Sequence, residues 1–233
     1  MNEQGYLSVK ELISPFTVKQ FKMWAMNPDN IHRGNAVNGQ YYGKHRKGRE
    51  YNVWWTRVPP REMWQPIVDN LSRYFDTIFQ GKEWDIHVVD CITTRPASSK
   101  IRAHIDTPYR FEEYARISNE EVFGVQCIIP LDYFTLENGA TCVLPGSHNE
   151  MYYYKDIEEN QSEYDEMLVN DGFQFVSKPG DALMYNARTL HSTMPNKSEN
   201  FRSALLINAL DINILRRIKE LDMNTKTAQW KKK

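Results

Sequence analysis

Two kinds of hydrophobic pattern divide the chain at about residue 84. Before that point, apolar residues three and four positions apart predict helices over 8–26, in two pieces, and over 61–80. Ser8 is placed to cap the first of these pieces. Between the two helical regions, residues 51–58 are rich in aromatic and β-branched types, and this run predicts a strand.

From residue 84 onward, short strand-like runs alternate with turns rich in Gly, Pro and Asn. Many short strands in this order predict an antiparallel sandwich or barrel over 84–212. The acidic, tyrosine-rich stretch 149–171 predicts an inserted loop with a helical portion. We therefore expect a single, mainly β domain with flanking helices, in which 1–83 packs on the barrel and 213–233 forms a C-terminal helix and tail.

Composition excludes several classes of protein without naming an activity. The 233 residues are 41% hydrophobic, which is enough for a real core. A formal net charge of −1 argues against a dedicated nucleic-acid partner. No apolar run approaches the roughly 20 residues of a membrane-spanning helix, and the first residues lack the pattern of a secretory leader. With only three scattered cysteines, we expect a cytoplasmic protein without disulfides.

Candidate metal ligands stand in one of the strand-like runs. His104 and Asp106 are two positions apart, so on a strand their side chains point to the same face and can bind one ion. His191, from a later run, is the candidate third ligand. Two histidines and one carboxylate form the facial triad of non-haem Fe(II) oxygenases, which leaves positions open for a cosubstrate and dioxygen. The pair alone is also common by chance, as an ordinary surface or core pair.

A cation follows the third candidate ligand. Arg202 lies eleven residues after His191, across a turn, and a hairpin would aim both side chains into one interior. A buried guanidinium needs an anionic partner, because an unpaired buried charge is costly. A dicarboxylate cosubstrate would supply that partner in a two-pronged contact. A neighbouring Asp or Glu is the alternative.

With two further motifs, these residues resemble the phytanoyl-CoA dioxygenase family of iron- and 2-oxoglutarate-dependent oxygenases. The motifs are NGATCVLPGSH at Asn138–His148 and PGD at Pro179–Asp181, and the resemblance covers about 84–212. It implies a double-stranded β-helix, which is a jelly-roll or cupin-like barrel. It implies that Arg202 holds the distal carboxylate of 2-oxoglutarate, and that a substrate is hydroxylated while O2 is consumed and 2-oxoglutarate is decarboxylated to succinate. It also implies the Fe(II) ligands His104, Asp106 and His191.

Three residues are candidates for the cavity on grounds of position. Thr93 and Arg95 lie on the strand before the first ligands, where the family often contacts the cosubstrate or the substrate. Gln126 alternates with apolar neighbours, so it faces inward either for a structural hydrogen bond or to contact the cosubstrate. We expect Thr93 and Gln126 on the cosubstrate side and Arg95 on the substrate side.

Three more candidates lie where a cover for the barrel is expected. Tyr109 begins a predicted lid directly after the ligand pair. Trp54 and Arg57 belong to the N-terminal strand predicted to cover the barrel mouth, and core packing is the alternative for the tryptophan.

Other functions stay open at this point. The basic cluster Lys44–Arg49 has aromatic neighbours and would suit a nucleobase, a phosphorylated metabolite or a CoA-linked metabolite as substrate. A solvated charged loop is the alternative, and the more common role of such a cluster. A non-catalytic jelly-roll binding protein would keep the fold, and a cupin-type metal isomerase or hydrolase would need neither Arg202 nor 2-oxoglutarate. The complete set of residues favours an oxygenase that acts on a small molecule.

Overall fold

The computed structural model describes residues 3–30, 53–98, 101–115 and 121–220. Its strands form two antiparallel sheets, a major sheet of six strands and a minor sheet of three. The major sheet has the order β1-β7-β4-β9-β3-β2. Its strands are β1 (Tyr6–Val9), β2 (Val53–Trp55), β3 (Trp84–Thr94), β4 (Gly124–Pro130), β7 (Ala182–Asn186) and β9 (Arg202–Asp211).

The minor sheet has the order β6-β5-β8. Its strands are β5 (Thr141–Val143), β6 (Phe173–Gln174) and β8 (His191–Thr193). The segment 101–106 extends this sheet through a single antiparallel bridge between His104 and His191. The predicted barrel region thus supplies both sheets, and β1 and β2 add strands from the N-terminal region to the edges of the major sheet.

Helices cover the outside of both sheets. They are α1 (Pro15–Met26), α2 (Arg61–Ile78), α3 (Glu112–Ala115), α4 (Tyr154–Glu159), α5 (Gln161–Asp171) and α6 (212–220). The inserted stretch is therefore two helices, α4 and α5, and the predicted C-terminal helix is present as α6. Among the helices that the structure describes, none combines the length and apolar character needed to cross a bilayer.

The outer face of the major sheet packs on α1 and α2. Alternate residues of β3 and β9, among them Cys91 and Ile207, form one buried cluster with Phe21 of α1 and with Leu71 and Phe75 of α2. Each fully buried Leu or Phe side chain contributes roughly 1.5–3 kcal/mol. The residues that alternate with these along β3 and β9 consequently point into the space between the two sheets.

That inner space is apolar over much of its length. Ile128, Leu183 and Tyr185 of the major sheet meet Val143 and Phe175 in a second buried cluster. Because side chains alternate along a strand, Ala204 in this cluster places Arg202 and Asn208 of β9 on the inner face as well. The period of two along β9 therefore places these two polar residues on the same, inner side of the sheet.

The N-terminal helix prediction is wrong for its first piece. Ser8 lies in β1 and pairs with Leu183 of β7, where it caps no helix. The helix starts at Pro15, and the hydroxyl of Ser14 accepts a hydrogen bond from the amide of Thr17. Pairing with the open edge of β7 gives residues 6–9 more hydrogen bonds than an isolated helical turn would, since a single turn is costly to nucleate.

Candidate functional site

Three side chains predicted as metal ligands converge at one end of the barrel. His104 and Asp106 come from the segment beside β8, and His191 begins β8 itself. One ligand atom from each lies within 4.8 Å of the other two. Nε2 of His191 is 3.4 Å from one carboxylate oxygen of Asp106, and Nε2 of His104 is 3.9 Å from the other. This spacing allows the three atoms to bind one ion.

Backbone carbonyls orient both imidazoles. Nδ1 of His104 is 2.8 Å from the carbonyl oxygen of Arg102, and Nδ1 of His191 is 2.9 Å from that of Thr189. Since a carbonyl only accepts, Nδ1 carries the proton in each ring and Nε2 keeps its lone pair. Such an outer hydrogen bond is typical of histidines that ligate metals. The site therefore fits a divalent ion of the kind that a facial triad binds.

The protonation states also suit metal binding. Burial, followed by the neighbouring His191, lowers the pKa of His104 to about 4. Burial alone would raise the pKa of Asp106, but the neighbouring His191, with smaller contributions from His104 and Arg110, outweighs burial and holds this pKa at about 2. A neutral imidazole and an ionised carboxylate are the forms that bind a metal.

Access to the centre is from the His104 side. The side chain of His104 is 35% exposed and that of Asp106 is 23% exposed, while His191 is 5% exposed. The ring of His191 lies against Tyr185, with 4.6 Å between ring centroids. One side of the centre is thus closed by the barrel core and the other is open.

The predicted cation lies inside the barrel. Arg202 is 2% exposed, its guanidinium lies 4.4 Å from the ring centre of Phe134, and one terminal nitrogen donates to the Thr94 hydroxyl at 2.8 Å. Its Nε has no hydrogen-bond partner among the described residues. Burial lowers the pKa of Arg202 to about 10, so the group still carries its charge at neutral pH. A buried cation with an unpartnered donor therefore fits an anionic partner.

The alternative partner for Arg202, a carboxylate of the protein, is engaged elsewhere. Asp132 acts on Arg202 electrostatically, but it forms its ion pair with Lys22 and accepts a hydrogen bond from the amide of Ser203. Within the described ranges, no carboxylate forms an ion pair with Arg202. The charge of Arg202 is therefore not paired with a carboxylate among the described residues.

The prediction that Thr93 contacts the cosubstrate is wrong. The structure does not bring Thr93 to the pocket, because its hydroxyl lies 2.9 Å from that of Ser203 on the face that packs on the helices. Its neighbour Thr94 pairs with Arg202 in the register of β3 and β9 and faces the interior. Sequence alone does not show which residues of β3 face the interior, because that depends on this pairing with β9.

Two further polar residues face inward that the sequence pattern does not single out. Thr193 lies two positions after His191 and therefore shares its face, opposite Thr141 of β5. The same spacing that singled out the first ligand pair could have identified it. Asn208 shares the parity of Arg202 on β9, and its side-chain oxygen is buried without a hydrogen-bond partner among the described residues.

Gln126 faces inward as the sequence predicts. It is buried on β4, directly between Tyr185 of β7 and Asn208 of β9 in the sheet register. Gln126 and Asn208 therefore lie side by side on the inner face of the major sheet.

Tyr109 is a structural residue in this fold. It is fully buried, its hydroxyl accepts a hydrogen bond from the amide of Phe123 at 3.0 Å, and the guanidinium of Arg188 stacks 4.4 Å from its ring centre. These contacts fasten the segment after the ligand pair to the barrel, and they leave Tyr109 no free face for a substrate.

The other substrate candidates lie on or directly after β2 and β3, at one edge of the major sheet. Arg57 and Arg95 are exposed, and the backbone of Arg57 bonds to the loop after α1. Trp54 pairs with Thr93 in the strand register, and its side chain lies outside the described residues. The basic cluster at 44–49 also falls outside them.

Several known proteins are similar to this chain in sequence or in fold. A family model described as phytanoyl-CoA dioxygenase matches residues 1–204. The probable alpha-ketoglutarate-dependent hypophosphite dioxygenase of Stutzerimonas stutzeri is 24% identical over 229 residues, which is 88% of this chain and 74% of that protein. Dioxygenase cdmD of Talaromyces verruculosus is 25% identical over 131 residues, 54% of this chain, and the match spans only 40% of that protein's length.

Solved structures with this fold include two proteins bound to small molecules. HygX from Streptomyces hygroscopicus, with nickel, 2-oxoglutarate and hygromycin B, has a TM-score of 0.65 at 14% identity and covers 91% of this chain and 84% of its own. The epimerase SnoN, with Fe3+, alpha-ketoglutarate and nogalamycin RO, has a TM-score of 0.61 at 13% identity over 90% of this chain and 80% of its own. The predicted double-stranded β-helix is confirmed.

Proposed function

This chain belongs to the phytanoyl-CoA dioxygenase family, and from that membership we propose that it is an Fe(II)- and 2-oxoglutarate-dependent dioxygenase that hydroxylates a small anionic molecule. One observation carries the proposal. A facial set of two imidazoles and a carboxylate opens into the same barrel interior as a buried guanidinium that has no carboxylate partner among the described residues.

His104, Asp106 and His191 hold the iron. When bound, iron and 2-oxoglutarate supply the oxidising chemistry, in which dioxygen is reduced, 2-oxoglutarate becomes succinate and CO2, and the substrate gains a hydroxyl group. The protein keeps Nε2 of both rings aimed at the ion through the Nδ1 hydrogen bonds. The three protein ligands would hold the ion from one side and leave room on the open side for the cosubstrate and dioxygen.

Arg202 binds the distal carboxylate of 2-oxoglutarate. Its planar guanidinium suits a two-pronged contact, and its unpartnered Nε is one of the available donors. Thr94 accepts from the other end of the group and fixes its plane. Thr193, Gln126 and Asn208 are the further polar groups of the inner face, placed to bind the cosubstrate, and the apolar cluster around them excludes water.

Arg110 recognises the substrate on the open side. Its charge acts on both His104 and Asp106, and its guanidinium donates to the Tyr154 hydroxyl at 3.0 Å and stacks 4.7 Å from that ring. A neutral aromatic partner orients the cation without neutralising it. The related protein named a hypophosphite dioxygenase is named for an anionic substrate, which agrees with a cation at this position.

A small molecule is favoured over a nucleic acid. The net charge of −1 gives no overall attraction to a phosphate backbone. Within the described ranges, Arg102 and Lys155 near the open side are paired with Glu158 and Glu159, so Arg110 supplies a local charge and no extended basic surface.

Two measurements test the proposal. Anaerobic addition of Fe(II) and 2-oxoglutarate should produce a weak visible charge-transfer band, and Asp106→Ala should abolish it. Succinate release with iron, ascorbate and 2-oxoglutarate should then rise with particular members of a metabolite panel that pairs each carboxylate or phosphate compound with a neutral derivative. A wild-type protein that never shows the band would sink the oxygenase assignment. Stimulation by neutral members alone would sink the anionic substrate.

A further inference from the structure

Two side chains of α5 form hydrogen bonds with the backbone of Ala103, the residue directly before the first metal ligand. The amide of Ala103 donates to the Asp165 carboxylate at 2.7 Å, and the carbonyl of Ala103 accepts from the Gln161 side-chain amide at 3.0 Å. The same Gln161 nitrogen lies 2.9 Å from the carboxylate oxygen of Asp165. Both peptide groups of one residue are thus held by two side chains that also bond to each other.

The geometry of an extended segment explains why side chains are needed there. The amide and carbonyl of His104 both bond to His191 in β8. In an antiparallel pairing, the residues directly before and after such a bonded residue direct their amide and carbonyl groups to the opposite edge, and Ala103 is one of them. At that edge of segment 101–106 lies α5 instead of another strand. Gln161 and Asp165 are one helical turn apart on the same face of α5, so together they replace the missing strand partner.

Packing fixes α5 in this position. Leu168 of α5 and Ile157 of α4 are buried in one cluster with Ala103 and Ile105, the residues that alternate with the two ligands. The carbonyl of Leu168 also accepts a hydrogen bond from the thiol of Cys142 in β5. The helix is therefore attached to the minor sheet as well as to the ligand segment.

We propose that Gln161 and Asp165 are positioning residues for the metal centre, acting through the backbone of Ala103 on His104. They fix the direction in which the ligand segment crosses the edge of the minor sheet, and thus where Nε2 of His104 points relative to Asp106 and His191. The inference rests on the proposed function, since it assumes that these three residues bind the ion. It assigns the inserted helices to the catalytic apparatus.

The test compares metal binding by variants at these two positions. Asp165→Ala and Gln161→Ala should each weaken Co(II) or Fe(II) binding by roughly tenfold or more, the usual effect of removing an outer partner of a metal ligand. Each should also change the visible absorption of the Co(II)-loaded protein. Asp165→Asn keeps an acceptor oxygen for the Ala103 amide, so it should bind metal within a fewfold of wild type. Glu166→Gln changes the same charge at the next, exposed position and is the matched control.

Thermal unfolding of the metal-free variants separates positioning from folding. If Asp165→Ala melts with wild-type cooperativity, binds metal weakly and has an altered Co(II) spectrum, the positioning role stands. Wild-type affinity and spectrum in both alanine variants would overturn it. So would an Asp165→Asn protein that melts normally and binds metal as weakly as Asp165→Ala. A wild-type protein that binds no metal would instead refute the proposed function, so the two failures are distinguishable.

Discussion

Thr94 and Arg202 lie opposite each other on β3 and β9, and the guanidinium donates to the threonine hydroxyl at 2.8 Å inside the barrel. The hydroxyl fixes the plane of the guanidinium but cannot neutralise its charge. A buried cation that is oriented by one hydrogen bond to a neutral group, with its Nε unpartnered, has the arrangement expected of a carboxylate-binding site.

This relationship makes Thr94→Val a sharp test of the cosubstrate site. The substitution keeps the shape of the side chain and removes the acceptor, so Arg202 loses one hydrogen bond and its fixed plane. We expect the KM for 2-oxoglutarate to rise about tenfold, since a hydrogen bond to a charged group contributes roughly 1.5–3 kcal/mol. Steady-state succinate release measures it. Thr93→Val is the matched control, because Thr93 bonds to Ser203 on the other face of the same strand.

Replacement of Arg202 should separate cosubstrate binding from metal binding. Arg202→Ala removes the only described cation of the pocket, and the KM for 2-oxoglutarate should rise at least about thirtyfold, as expected for one partner of a buried charge pair. Arg202→Lys keeps a positive charge without the planar guanidinium, so its KM for 2-oxoglutarate should lie between those of the wild type and Arg202→Ala. Metal affinity, measured by Co(II) titration without 2-oxoglutarate, should stay within about threefold of wild type. An unchanged KM in Arg202→Ala would remove this residue from the cosubstrate site.

Much of the architecture follows from local pattern. The alternation of short strands with Gly- and Pro-rich turns predicts an antiparallel sandwich or barrel, and the family match and the solved structures confirm the family and the double-stranded β-helix that the resemblance implies. The spacing of His104 and Asp106 places both on one face, and the structure brings His191 beside them. The common face of His104 and Asp106 depends on a period of two along an extended segment, which sequence displays directly.

The features that sequence does not display depend on long-range register and packing. Whether Thr93 or Thr94 enters the barrel is decided by the pairing of Thr94 with Arg202, 108 positions away. Ser8 lies in a strand because the edge of β7 is available to it, although its neighbours suit a helical cap. The bond from Ala103 to Asp165 spans 62 positions and requires the docked helix.

Arg110 should determine the preference for anionic substrates. For anionic members of the metabolite panel that stimulate succinate release, Arg110→Gln should lower kcat/KM about tenfold, the loss of one charge-assisted contact. The KM for 2-oxoglutarate should stay within about twofold of wild type. Tyr154→Phe, which retains the ring but removes the acceptor hydroxyl, should have a smaller effect. Lys155→Gln, the next residue of α4 and 84% exposed, is the control. Equal losses for anionic and neutral substrates would contradict the assignment.

Two glycines with similar backbone angles should respond differently to alanine. Gly81 has φ of +80° and open space where the Cβ of an alanine would lie, so Gly81→Ala should cost only the backbone penalty of roughly 1–2 kcal/mol. Gly139 has φ of +77°, and a Cβ there would lie 2.2 Å from the carbonyl oxygen of Met194, just after β8. Gly139→Ala should therefore destabilise the protein by several kcal/mol more than Gly81→Ala in urea unfolding. Similar losses would show that the turn before β5 can move away from β8.

Asp181 should make stability depend on pH. Its carboxylate accepts from Nζ of Lys10 at 2.9 Å and from the amides of Glu11 at 3.0 Å and Lys178 at 3.3 Å. Burial alone would raise the pKa of Asp181, but these bonds outweigh burial and lower it. Because the folded pKa lies below the unfolded one, the stabilisation is complete above the unfolded value of about 3.9 and is lost as the pH falls through the folded value.

Asp181→Asn removes that charge and should lower the free energy of unfolding by roughly 1–3 kcal/mol at pH 7. The wild-type and variant free energies should begin to converge as the pH falls below about 4, because the Asp181 carboxylate of the unfolded wild-type protein then takes up protons, and they should meet only below the folded pKa. Urea unfolding at pH 7, 5 and 3.5 measures both curves. Asp171→Asn, at the exposed end of α5, makes the same change of charge and should show no such convergence. A difference between Asp181→Asn and wild type that stays constant over this range would mean that the asparagine disturbs packing alone, and that the ionised carboxylate does not stabilise the junction between β1 and the Pro179–Asp181 turn.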